Sequence, residues 1–102
     1  MNIEFNTTVG EVTENQLIQI RKQLLELAHL NKNINRAEVM LKEDTHILSE
    51  ENKICEISLL INGEHYITHK RSGTFEKSVK EVIKDLKKKV EKLMERKSEA
   101  NV

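Results

Sequence analysis

The stretch CEISLLINGEHYITHK, Cys55 to Lys70, holds two runs of alternating side chains on either side of Asn62-Gly63. In the first run Cys55, Ile57, Leu59 and Ile61 share one side, while Glu56 and Ser58 share the other; this period of two is that of a half-buried strand. Asn and Gly both accept positive φ, so Asn62-Gly63 predicts a two-residue type I′ turn. The return strand, His65 to Lys70, then places Tyr66 and Thr68 inward with His65, Ile67 and His69 outward. A hairpin with one apolar face needs a covering layer.

The flanking sequence supplies that layer. Downstream, a loop over Lys70 to Gly73 leads to Thr74, a helix cap. Beyond it Phe75, Val79, Val82, Ile83, Leu86, Val90 and Leu93 fall in one stripe when wound at about 100° per residue. Upstream, Asn2 to Thr7 reads as a short strand with Ile3 and Phe5 on one face, followed by a turn around Gly10. Thr13 with Gln16 forms a capping-box pattern ahead of Leu17, Ile20, Leu24, Leu27 and Ala28, a helix ending near Asn31. After a polar break from Asn31 to Asn35, Ala37, Val39 and Leu41 alternate with Glu38, Met40 and Lys42 as a second strand. Lys42 to Lys53 is polar and acidic and reads as a surface loop, with Ile47 and Leu48 as isolated anchors. The predicted order is β-α-β-β-β-α, an α+β fold in which a four-stranded sheet carries both helices on one face.

Length and composition bound what such a fold can do. The 102 residues, 37% hydrophobic and 33% charged, suit one domain over residues 1–102 with a flexible tail from about residue 97. Function is then expected on the outer surface rather than in a deep pocket. No apolar run approaches the roughly 18 residues of a membrane span, and Met1 to Gly10 lacks the order of a secretory signal, so the expected location is cytoplasmic. The lone Cys55 lies among strand residues, where a buried inert thiol is expected. No phosphate loop, nucleophile elbow or supported acid pair is present, so neither an enzyme, a cofactor nor a small-molecule substrate is expected. His65 and His69 share the outer sheet face, but no third ligand lies at a zinc-like spacing, and no metal is expected. His46 falls in the polar loop and His29 at a helix end, where the dipole accounts for it. Tyr66, Phe5 and Phe75 all fall on core faces, which argues against base stacking.

The formal net charge is zero, but the charges are unevenly placed. Residues 1–50 carry five basic and eight acidic side chains, and residues 51–102 carry twelve and nine. From Lys70 to Lys97 there are eleven Lys or Arg against five Asp or Glu. On the helical wheel Lys77, Lys80, Lys84, Lys87 and Lys88 lie opposite the apolar stripe, and Lys92 extends the row. A basic face of this kind binds phosphates through counterion release. The plainer alternative is a solvated helix whose lysines pair with Glu81, Asp85, Glu91 and Glu95.

This element order, Ala37-Glu38-Val39 with Leu41, the Cys55–Ile61 strand with Gly63, and the closing helix from Thr74-Phe75 through Leu86, Val90 and Lys92 together resemble the ribosome hibernation-promoting factors. That family is also called protein Y or the sigma-54 modulation proteins. The resemblance covers most of the chain and implies binding to ribosomal RNA of the small subunit, in the channel of messenger and transfer RNA, where occupancy silences translation. It also implies the short form, without the carboxy-terminal domain that pairs ribosomes in some members. Basic positions of the family match Lys22 on the first helix, Arg71 in the loop, and Lys88 and Lys92 on the second helix. The chain departs from the family at Gln23, Glu26 and Asp85, where basic residues are usual, which implies two or three fewer phosphate contacts. A second reading of a different class is a protein-binding module, a weak homodimer formed through the open sheet face that carries Leu60, Ile67, Ser58 and Glu56.

Overall fold

The computed structural model describes residues 1–7, 12–45 and 50–100, with side chains described up to Glu95. The expected turn around Gly10, the loop residue His46 and the anchors Ile47 and Leu48 lie outside the described residues. The elements are β1 (Asn2–Thr7), α1 (Glu14–Leu30), β2 (Ile34–Glu43), β3 (Lys53–Ile61), β4 (Glu64–Ser72) and α2 (Phe75–Ala100). The order is the predicted β-α-β-β-β-α. The four strands form one sheet in chain order, with β1 parallel to β2 and the β2–β3 and β3–β4 pairs antiparallel.

The hairpin forms in the expected register. Asn62 has φ of 52° and Gly63 of 82°, so both turn residues take the positive φ of the type I′ turn. Ile61 pairs with Glu64, Leu59 with Tyr66 and Ile57 with Thr68. Cys55, Ile57, Leu59 and Ile61 are buried, Tyr66 and Thr68 are half-buried, and His65, Ile67 and His69 are exposed.

Several strand boundaries differ from those read in the sequence. The second strand begins at Ile34, inside what reads as a polar break, because the β2–β3 register shifts between Ile34 and Arg36. This bulge resets the alternation, so Ile34 faces the core together with Ala37, Val39 and Leu41, although strict period two would turn it away. The same strand continues to Glu43 and β3 starts at Lys53, since Lys42 pairs with Ile54 and Glu43 with Lys53. Likewise β4 runs on to Ser72, with Arg71 opposite Ile54 and Ser72 opposite Lys53, so Arg71 sits in a strand rather than in a loop. In each case polar side chains end the sequence pattern early, while the backbone ladder extends as far as it finds a partner.

Both helices lie on one sheet face. The capping box at Thr13 forms in full: Thr13 N donates to Gln16 Oε1 at 2.9 Å, and Gln16 N donates to Thr13 Oγ1 at 3.2 Å. Ile20, Leu24 and Leu27 of α1 join Phe75, Val79, Val82, Leu86 and Val90 of α2 over the inward residues of β2 and β3 in one core. Thr74 caps α2, its Oγ1 accepting from Lys77 N at 3.2 Å.

A buried polar chain fixes where α2 starts. Thr74 N donates to Ser72 Oγ at 3.3 Å, the Ser72 and Ser78 hydroxyls lie 2.7 Å apart, and Ser78 Oγ donates to the Lys53 carbonyl at 2.7 Å. The Thr74 carbonyl also accepts, from Ser72 Oγ at 2.6 Å and Ser78 Oγ at 3.1 Å, so the two hydroxyl protons are shared among the Ser72–Ser78 contact, the Thr74 carbonyl and the Lys53 carbonyl. The chain ties the end of β4, the first turn of α2 and the start of β3 together.

Candidate nucleic-acid interface

Burial of the apolar stripe fixes the rotation of α2 and thereby turns its lysines outward. Lys77, Lys80, Lys84, Lys87, Lys88 and Lys92 are all exposed. Glu81 and Glu91 stand four residues after Lys77 and Lys87, the spacing of a helical ion pair. Yet among the described residues none of these six lysines forms an ion pair. Asp85 is turned the other way and meets Lys70 of β4 at 3.1 Å. Lys89 also leaves the outer face, lying 5.7 Å from the centre of the Tyr66 ring.

Lys22 is exposed on α1, whose inward face is Ile20, Leu24 and Leu27, so it belongs to the same helical layer as the α2 lysines. Arg71 does not. Its neighbour Ser72 is buried against Ser78 of α2, and strand alternation therefore sends Arg71 to the opposite, open face of the sheet. There it donates to Asp44 Oδ2 at 3.0 Å. The structure thus gathers seven of the eight basic residues singled out in the sequence on one side and places the eighth, paired, on the other.

The open face carries a second paired arginine. Arg36 contacts Glu4 at 2.5 Å and Glu38 at 2.9 Å, and the hydrogen bond and charge of Glu4 hold its guanidinium above the ordinary range. At the end of β2, the Glu43 carboxylate is held below its ordinary range, first by its hydrogen bond to Lys53. Ile67, 63% exposed, is the most exposed large hydrophobic side chain on this face. Among the described residues no three His, Cys, Asp or Glu side chains converge as a metal site would require.

Between α1 and α2 runs a groove of about 490 Å³. One wall is a row of amides, Asn15, Gln16, Gln19 and Gln23, and the other is Glu76 and Lys80. Ile20, Leu41, Phe75 and Val79 also line it. Sequence reasoning registers Gln23 only as a missing basic residue. The available signal is the spacing of Asn15, Gln19 and Gln23 at intervals of four, which puts three amides on one side of a helix.

A family model described as Sigma 54 modulation protein / S30EA ribosomal protein matches residues 3–98 of the chain. Among solved structures, a ribosomal subunit interface protein from Coxiella burnetii matches with a TM-score of 0.76 at 14% identity, over 92% of this chain and 98% of that one. The N-terminal domain of Thermus thermophilus Protein Y matches with a TM-score of 0.74 at 18% identity, over 91% of this chain and 99% of that one. At these identities the likeness is one of fold. No curated protein matches the sequence.

Proposed function

Because the chain belongs to the Sigma 54 modulation protein / S30EA ribosomal protein family, we propose that it is a ribosome-associated translation inhibitor whose helical layer binds small-subunit ribosomal RNA. Its place is the channel of messenger and transfer RNA, and its occupancy silences ribosomes under stress or in stationary phase. The observation that carries this reading is the row of exposed α2 lysines with no ion pairs among the described residues. A lysine already paired with a carboxylate gains little from a phosphate, whereas an unpaired one releases phosphate counterions in full. Lys22 adds to the same surface from α1. Arg71, held by Asp44 on the opposite face, contributes only where RNA also reaches the sheet. The action is steric, and no bond is made or broken.

The test is co-sedimentation with small ribosomal subunits at two salt concentrations. Each phosphate contact is a modest charge-assisted term, so single lysine substitutions weaken binding slightly and combined ones strongly. Changing Lys84, Lys88 and Lys92 together to Glu reverses the charge of the face and leaves the apolar stripe intact, so the variant retains the helical circular dichroism of the parent. Its pelleting is expected to fall by about tenfold or more, and that of the parent to fall steeply as salt rises. A folded triple variant that pellets as well as the parent removes the α2 face as the binding surface.

The exposure of Ile67 beside half-buried Leu60 favours a second reading, a homodimer through the open sheet face. An apolar dimer persists in high salt, where RNA binding does not, so sedimentation of the isolated protein in high salt separates the two.

A further inference from the structure

The groove between α1 and α2 differs in chemistry from the lysine surface beside it. Its walls offer neutral amides that both donate and accept, together with one carboxylate, Glu76, and one ammonium group, Lys80. Gln16 is half committed: its Oε1 accepts from Thr13 N at 2.9 Å, which fixes the side chain and leaves its amino group to donate. The amides of Asn15, Gln19 and Gln23 make no hydrogen bond among the described residues. A phosphate entering this groove would meet the Glu76 carboxylate, but a neutral planar group would not be repelled. The volume, about 490 Å³, lies within the range of small-ligand clefts. Lys80 lines the groove beside Glu76, with Lys77 and Lys84 one turn to either side along α2.

We infer that this groove receives one unstacked nucleobase of the bound RNA, while the phosphates of that nucleotide and its neighbours lie outside on Lys77, Lys80 and Lys84. The inference rests on the RNA-binding reading and adds the chemical group read at its centre. Single-stranded nucleotides expose their base edges, and side-chain amides pair with those edges in two directions, as Gln does with the amino and ring nitrogens of adenine. Glu76 accepts from an exocyclic amino group or ring N–H. The base face rests over the small apolar floor that Ile20, Phe75 and Val79 leave to the groove, since all three are buried and none offers an open face for stacking. In this chain α1 therefore contributes base recognition where basic residues would have contributed phosphate contacts.

The probes are four hexaribonucleotides, one for each base, and an abasic hexamer with the same number of phosphates. Binding to the intact chain and to a Gln19→Ala/Gln23→Ala variant is measured over a salt series. Alanine favours the helix, and circular dichroism checks that the variant is folded. At least one base-bearing hexamer is expected to bind the parent about fivefold or more tightly than the abasic one, roughly the effect of one or two hydrogen bonds. The variant loses that preference, yet binds the abasic hexamer like the parent and keeps its salt dependence. Equal binding of base-bearing and abasic hexamers by the parent overturns the inference, as does a preference that survives in the variant; either result leaves phosphate binding by the lysines standing. Failure of every hexamer to bind also overturns it, and small-subunit co-sedimentation then decides the RNA-binding reading independently.

Discussion

Cys55 shows how far one side chain can be taken from its surroundings. It lies fully buried on the core side of β3, opposite Leu41 on one neighbouring strand and Lys70 on the other. Burial disfavours the thiolate, and the adjacent Glu56 adds to this, pushing the thiol up from 9.0 to about 12. A thiol that stays protonated and inaccessible does not react, so native protein is expected to resist a thiol-specific disulfide reagent that labels the urea-unfolded chain at once. A pH dependence follows as well. With the folded value raised, the stabilisation is fully present below pH 9.0 and is lost as pH rises towards about 12, because the unfolded chain releases its proton first. The loss approaches about 1.4 kcal/mol per pH unit within that window. Urea unfolding at about pH 9 and pH 11, compared with a Cys55→Val variant that lacks the titrating group, reads it directly. Equal losses in the two proteins would mean that the thiol titrates alike in both states.

Single elements are held at their ends. In the hairpin the strain is purely conformational: Gly63 has φ of 82°, and a Cβ added there would have nothing within 4 Å. Gly63→Val is therefore expected to cost about 1–2 kcal/mol through the backbone alone, since a β-branched residue resists positive φ. A melting midpoint equal to that of the parent would contradict the turn assignment. At the start of α2 the cost has a different origin. Removing the Ser78 hydroxyl takes from the Lys53 carbonyl its buried side-chain donor and from the Ser72 hydroxyl one of its partners, and Ser78→Ala is expected to destabilise by about 1–3 kcal/mol. Ser78→Thr keeps the hydroxyl, so if both variants lose the same stability in urea, packing rather than the hydrogen-bond chain is responsible.

Over the whole molecule, zero net charge conceals two unlike faces. Both arginines on the open face of the sheet, Arg36 and Arg71, are engaged by carboxylates. Among the described residues the six outward lysines of α2 are not, and Asp85 of the same helix meets Lys70 of β4 instead. Asp85 and Lys70 are each about 40% exposed, so this pair contributes little to stability. Asp85→Lys is expected to change stability by no more than about 1 kcal/mol, yet it adds two units of positive charge beside the α2 row. Co-sedimentation of this variant with small subunits should persist to higher salt, with a steeper salt dependence. An unchanged salt midpoint would place Asp85 outside the contact surface.

Periodicity along the chain sufficed to determine the element order, the hairpin with its Asn62-Gly63 turn, both helix caps and the buried stripe of α2. Each of these depends on interactions within a few residues, and for such features spacing and structure carry the same information. The family likeness, too, was legible from Ala37-Glu38-Val39 and the closing helix. Longer-range features were not. Ile34 joins the core only because a bulge against β3 resets its phase, and Arg71 extends β4 only because Ile54 lies opposite. The lysines of α2 could be placed on one face from the sequence, but whether the acidic residues between them neutralise that face depended on where each finds a partner, as Asp85 does in Lys70 across the gap to β4. The groove required two helices brought side by side by a sheet neither of them belongs to. Local propensity acts within a turn or two of backbone, whereas pairing partners, charge pairing and the space between helices are set by residues distant in the chain, and only tertiary packing decides those.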